Sequence, residues 1–145
     1  MTGQYTSKVL YNTFYSDIKY KGLLYPSVEN AYQAQKEPDQ VKRMKYTRLS
    51  TSQAIYYGNR KRLSYNWLEN RDKIMHELLE IKFQDKHFRE ELLSSDLDDT
   101  IFYNTDHNNY WGFCTCEKCR NKNQNKLKDM LIVIKNNYME ETVSQ

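Results

Sequence analysis

The chain has 145 residues, 39% apolar and 14% aromatic, with Tyr alone occurring 13 times. That length suits one domain with a real core, and with no apolar run of membrane-spanning length it excludes a helical membrane protein. With 22 basic residues against 19 acidic ones, the net charge of +3 is too balanced to demand a nucleic-acid partner but fits an anionic ligand.

Met1–Lys8 is too polar for the apolar core of a secretory signal, so a cytoplasmic setting is expected. Residues 5–16 and 18–25, rich in Tyr, Val, Leu, Thr and Ile, predict short strands or a hairpin, with turns at Ser16-Asp17 and Lys21-Gly22. Pro26 stops the element before it, Ser27 can cap a first turn, and Pro38 breaks the backbone pattern again, so a helix is predicted over 28–37. On that helix Glu29, Gln33 and Lys36 stand at i, i+4 and i+7, one line of carboxylate, amide and amine. Two readings compete: solvated residues matched to the helix dipole, or the wall of an active site.

Asp39 predicts the cap of a second helix reaching about Leu49, basic at Lys42, Arg43, Lys45 and Arg48. Such a run is usually a solvated face, and otherwise one that meets phosphate. Ser50-Thr51-Ser52 caps a short helix over 53–57, with Gly58 as the expected left-handed C-cap and Arg60, Lys61 and Arg62 just beyond. Asn70 is the expected cap of a helix over 71–84, whose apolar stripe of Ile74, Met75, Leu78 and Leu79 continues onto Lys82. A lysine there either snorkels outward, the commoner outcome, or is held inside with a lowered pKa.

Asp85 starts a helix through Leu93, followed by an acidic loop over 94–99 and a brief strand over Thr100–Tyr103. A last helix over 125–138 repeats the core period at Leu127, Met130, Leu131, Ile134 and Tyr138. The whole is a mainly α fold of six or seven short helices with minor β structure, one domain over 1–145 whose residues 1–4 and 140–145 fray.

The stretch from Thr105 to Cys119 carries Asp106, His107, Trp111, Gly112 and all 3 cysteines, Cys114, Cys116 and Cys119. Asp106 and Trp111 suit either an aromatic-walled pocket or a structural turn. An odd cysteine count in a cytoplasmic setting argues against a disulfide framework. Cys-x-Cys-x-x-Cys with His107 is a possible zinc set, but the second Cys-x-x-Cys of a zinc ribbon is missing, and a metal-free loop is the expectation.

Tyr25-Pro-Ser-Val-Glu-Asn-Ala-Tyr-Gln-Ala-Gln-Lys36, Gly58-Asn-Arg60, Trp67, Met75, Lys82-Phe83, Asp106 with Trp111-Gly112, and Asn125-Lys-Leu127 together resemble the NADAR family, also called YbiA-like. Asn12 ahead of Phe14-Tyr15 resembles its N-terminal Ser-Asn-Phe element. The resemblance implies a compact multihelical domain that hydrolyses the C–N bond between a ribosyl group and a base, without metal or cofactor. The leading substrate is ADP-ribosylated guanine in DNA or nucleotides, which suits a phage or toxin-antitoxin setting. The alternatives are phosphoribosylamino-pyrimidine intermediates of riboflavin synthesis, a non-catalytic ADP-ribose or nucleotide reader, and a small zinc-stabilised nucleic-acid binder.

On this resemblance Lys36 is the first-choice nucleophile and Lys82 the second, Glu29 the general acid or base, and Asp106 the group that orients sugar or activates water. Trp111 and Trp67 would stack on the base, Arg60 and Asn125 would meet phosphate or ribose, and Asn12, Tyr32, Gln33, Gly58 and Gly112 would complete the binding site. The chain departs from the family pattern in having Asn30 for His, Asn123 and Lys128 for Gly, and Lys135 for Arg.

Overall fold

A hairpin of two three-residue strands, β1 (Ile18–Tyr20) and β2 (Leu23–Tyr25), precedes the α-helices in the computed structural model, which describes residues 8–97, 109–112 and 114–144. Ile18 pairs with Tyr25 and Tyr20 with Leu23. The turn is Lys21-Gly22 as the sequence predicts, with both residues at positive φ, 48° and 86°, the hand that matches strand twist in a two-residue loop. Helices α1 (Val28–Ala34), α2 (Gln40–Met44), α3 (Thr51–Gly58), α4 (Tyr65–Lys82), α5 (Lys86–Ser94) and α6 (Lys126–Ser144) come next, so the described residues are mainly helical with minor β structure. The chain packs as two compact units, one of residues 11–88 and one of the described residues of 1–10 and 89–145.

The first unit is built around α1. Ser27 is its N-cap, the hydroxyl accepting from Asn30 N at 3.0 Å. Val28 and every residue from Asn30 to Ala34 are buried, with α3 and α4 packed against the helix. Asn30 survives inside because its amide donates to the carbonyls of Tyr46 and Leu49 at 3.0 and 2.9 Å and its oxygen accepts from the Ser27 hydroxyl. These bonds also account for α2. Asp39 caps it as predicted, but the helix ends at Met44 and tightens into a 3-10 turn at Lys45–Thr47 rather than running on to Leu49.

Three further expectations are corrected. From Lys8 to Ser16 the chain is no strand: Lys8–Leu10 is a 3-10 turn, and the backbone beyond it bonds around the start of α1. The Asn12 carbonyl accepts from Glu29 N at 3.0 Å and Ser16 N donates to the Pro26 carbonyl at 2.9 Å, so these groups cannot serve a sheet ladder. The long helix starts at Tyr65 with Ser64 as its cap, and Asn70 lies inside it, bonded to the Asn66 carbonyl. Ser64 is the first capping side chain after Arg62, and no Gly or Pro intervenes to delay the helix. Gly58 is not left-handed: it is the last residue of α3, and the C-cap is Asn59 in right-handed geometry.

The second unit holds α6, with Leu127, Leu131 and Ile134 buried and Met130 and Tyr138 half-buried. The helix runs on to Ser144, past the expected end at 138, with no Gly or Pro beyond Gly112 to stop it. The Lys135 amine donates to the Ser95 carbonyl and the Arg89 guanidinium lies 4.6 Å from the Tyr138 ring centre. The predicted strand at Thr100–Tyr103 falls outside the described residues.

The glycine at position 58 is needed for space. A Cβ there would stand 1.9 Å from Gln33 Oε1, 2.7 Å from its Cδ and 3.0 Å from its Cβ, so α1 and α3 approach closely only because residue 58 has no side chain. Gly58→Ala gains about 1 kcal/mol of helix propensity but costs about 1–3 kcal/mol of overpacking. Chemical denaturation should therefore show a net loss, and most of it should vanish in a Gln33→Ala background, where the clash with the amide is gone.

Candidate active site

The line predicted on α1 exists, and it is not a solvated face. The Gln33 amide nitrogen donates to Glu29 Oε1 at 2.7 Å. Glu29 and Lys36 are both half-buried and Gln33 is buried. The Lys36 amine is 3.5 Å from the Gly58 carbonyl and sits over two aromatic faces, 5.9 Å from the Tyr32 ring centre and 6.0 Å from that of Trp67. Those rings pack on each other at 4.9 Å, with Trp67 held by the Ser64 cap in the first turn of α4. Residues from three helices thus converge on one amine.

Burial drives both ionisable ends of the line toward neutrality. It raises the Glu29 carboxyl above its ordinary value, against the opposing Gln33 hydrogen bond and the nearby Lys36 charge. It lowers the Lys36 amine, with Arg71 adding to the fall and Glu29 opposing it. An amine that gives up its proton more readily, on one helix face with a carboxyl that holds its proton more readily, is shifted in the direction that a nucleophile and a general acid require.

Lys36 and Trp67 also line a cavity of about 240 Å³ whose walls include Tyr20, Lys21, Arg43, Lys73 and Glu77. Among the described residues four basic side chains there face one acid, and that acid already accepts a hydrogen bond from the Tyr20 hydroxyl at 3.2 Å. Burial, reinforced by Glu77, pushes the Tyr20 phenol up to about 12, so it stays a donor at neutral pH. Glu29 and Gln33 are not among the cavity walls, and Lys36 is the member of the line that belongs to both. Of the basic run in and after α2 only Arg43 reaches the cavity, its Nε anchored on the Glu37 carbonyl at 2.8 Å, while Lys42, Lys45 and Arg48 are exposed. Tyr20, Lys73 and Glu77 were not candidates from the sequence, where their only signal is polar character at scattered positions.

Lys82 is a correction to the expected snorkelling. Its side chain is 1% exposed, its amine donates to the Tyr11 carbonyl at 2.9 Å, and burial lowers its pKa from 10.5 to about 7. Phe83 and Phe88 are its aromatic neighbours, so its surroundings differ from those of Lys36. Asn12 is buried beside α1, its amide on the Met75 sulfur at 3.5 Å and its Oδ1 without a hydrogen-bond partner among the described residues. Arg60 is exposed and engaged with Tyr56, donating to its carbonyl at 2.8 Å and stacked 3.3 Å from its ring centre.

In the second unit Trp111 and Gly112 are buried, and the Trp111 ring meets Tyr110 edge-on at 4.8 Å. The Trp111 carbonyl accepts from Leu127 N at 3.0 Å, which ties this turn to the start of α6. Asn125, just before that helix, has φ of 50° and a buried Oδ1 with no hydrogen-bond partner among the described residues. Cys114 and Cys119 are buried and Cys116 half-buried, their sulfurs within 4.8 Å of one another. Asp106 and His107 lie outside the described residues.

The described residues are mainly helical, with the Glu-Gln-Lys line on a buried helix and a Trp-Gly turn ahead of the last one, the motifs on which the sequence resembles the NADAR family. The NADAR domain family model matches residues 1–137, and the chain belongs to the NADAR family. Among solved structures, that of the E. coli protein YbiA, determined by NMR, is similar in fold, with a TM-score of 0.73 and 24% identity over 100% of this chain and 86% of that one. No curated protein matches the chain. No helix among the described residues is long and apolar enough to cross a membrane.

Because the folded state releases the Lys82 proton near pH 7 and the unfolded chain near 10.5, unfolding takes up a proton between those values, and stability rises with pH across that window. Lys82→Met, close in shape, should raise the melting temperature most at or below about pH 7, where the penalty is on the order of 5 kcal/mol, and the gain should fade as pH approaches about 10. Melts of both proteins across that range check it.

Proposed function

We propose that the protein is an N-glycosidase that hydrolyses the ribosyl C–N bond of an ADP-ribosylated guanine in nucleic acid or nucleotides, with Lys36 as nucleophile and Glu29 as general acid. Membership in the NADAR family, which is associated with glycosidase-type hydrolysis, supports the reaction class. The observation that carries the residue assignment is the half-buried Lys36 amine, held over Tyr32 and Trp67 at the edge of a basic cavity and on one helical line with Glu29.

In this reading the neutral amine attacks the anomeric carbon while Glu29 gives its proton to the departing base nitrogen, and the C–N bond breaks. The ring then opens to an iminium on Lys36, and water hydrolyses it, freeing the sugar and restoring the amine. Gln33 holds Glu29 in register through its amide. Trp67 offers a face for stacking, and Lys21, Arg43 and Lys73 offer charge to phosphate. Lys82, with its lowered pKa, is the second candidate amine.

Incubation with guanine-ADP-ribosylated DNA, no metal added, should release free ADP-ribose. No release, with turnover of a phosphoribosylamino-pyrimidine instead, would move the assignment to that substrate. Binding of ADP-ribose with no turnover of either would make the protein a reader. Lys36→Ala should lower turnover by about 10³-fold or more, and Glu29→Gln by about 10²–10⁴-fold. Borohydride should trap a protein–sugar adduct that is lost in Lys36→Ala and kept in Lys82→Met; the reverse pattern would assign the reaction to Lys82.

A further inference from the structure

The cysteine loop is the part of the molecule that the glycosidase reading leaves unused, and its construction is that of a metal knuckle. Its base is closed by backbone hydrogen bonds: the Asn109 carbonyl accepts from Gln124 N at 2.7 Å, that of Tyr110 from Lys126 N at 3.0 Å, and that of Trp111 from Leu127 N at 3.0 Å. Within the excursion the Asn123 amide clamps Cys114 from both sides, accepting from its N–H at 2.9 Å and donating to its carbonyl at 3.0 Å. A turn closed by Cys119 N on the Cys116 carbonyl at 3.1 Å brings the other two cysteines together. Asn109 Nδ2 donates to Cys119 Sγ at 3.3 Å, the kind of outer hydrogen bond that orients a thiolate ligand.

We infer that Cys114, Cys116 and Cys119 form a three-thiolate zinc site that pins this loop ahead of α6. Three sulfurs within 4.8 Å of one another supply three of four tetrahedral ligands, and a solvent-borne donor takes the fourth position. Zn–S bonds of about 2.3 Å set sulfur–sulfur edges of about 3.8 Å, so closure asks for a contraction of about 1 Å at the widest pair. That movement is small for a loop whose two ends are already tied.

Charge also favours a bound dication. Three thiolates and one Zn²⁺ sum to a single negative charge, and exposed Lys118, Arg120 and Lys122 in the same loop outnumber Glu117 around it. Binding releases the thiol protons to solvent and changes no oxidation state. The competing chemistry is oxidation, a disulfide between two of the three cysteines.

The zinc site does not depend on the glycosidase reading, because its readout is metal content. Protein purified under reducing conditions, stripped and then reconstituted with zinc should hold about one ion per chain, resistant to gel filtration, and cobalt in its place should give an intense sulfur-to-metal charge-transfer band. Cys116→Ser, at the half-buried position least needed for packing, should lose most of the zinc and weaken that band. The wild-type cobalt spectrum tests the site even if other cysteine variants fail to fold. Absence of zinc after reconstitution, zinc retained at full stoichiometry in Cys116→Ser, or a stable disulfide with one remaining thiol in the reduced-handled protein would each overturn it.

Discussion

Gln33 fits against α3 because residue 58 carries no side chain, and the first unit takes its arrangement from that approach. A Cβ there would lie 1.9 Å from the amide oxygen. With α3 seated so closely and α4 also packed on it, α1 is buried over most of its circumference, polar residues included. A helix with this sequence is not amphipathic in the ordinary sense, so its polar groups must find partners inside the fold. Asn30 bonds two carbonyls and a hydroxyl, and Gln33 bonds Glu29. The enclosure that demands those bonds also moves the Glu29 and Lys36 pKa values toward neutrality.

Buried polar groups fall into two kinds here. Glu37 is almost fully buried yet well supplied, with the Lys61 amine at 2.9 Å and the Tyr46 hydroxyl at 3.1 Å, so it ties α1's exit to the segments beyond. Such a pair contributes architecture, since removing either partner would strand the other. Among the described residues Lys36 and Lys82 have a carbonyl and aromatic faces close by rather than a carboxylate at salt-bridge distance, which costs stability and leaves the amine easier to deprotonate. Groups of the second kind are the ones a reaction can use. Lys36 is distinguished from Lys82 by the cavity it borders.

Three of the four positions where this chain departs from the NADAR pattern have structural accounts of their own. Asn30, in place of histidine, joins α1 to the carbonyls of Tyr46 and Leu49. Asn123, in place of glycine, clamps Cys114 through both its donor and its acceptor. Lys135, in place of arginine, holds the Ser95 carbonyl. Asn123 lies in the loop before α6, so that loop is tied by a pair of side-chain hydrogen bonds at a position where the family pattern has glycine.

Local chemistry in the sequence was enough for the β1–β2 turn, the caps at Ser27, Asp39 and Ser50, and the helical line of Glu29, Gln33 and Lys36, because each depends on residues within one turn of one another. The ordered motifs were also enough for the NADAR family. Tertiary structure decided the rest. It put 11–16 around the start of α1 instead of into a strand, since Asn12 and Ser16 give their backbone bonds to residues ten or more positions away. It made Gly58 a spacer rather than a cap, drew Lys82 inside, and selected Arg43 from a run of look-alike bases. Burial and close approach are sums over distant segments, and no periodicity within a single helix carries that information.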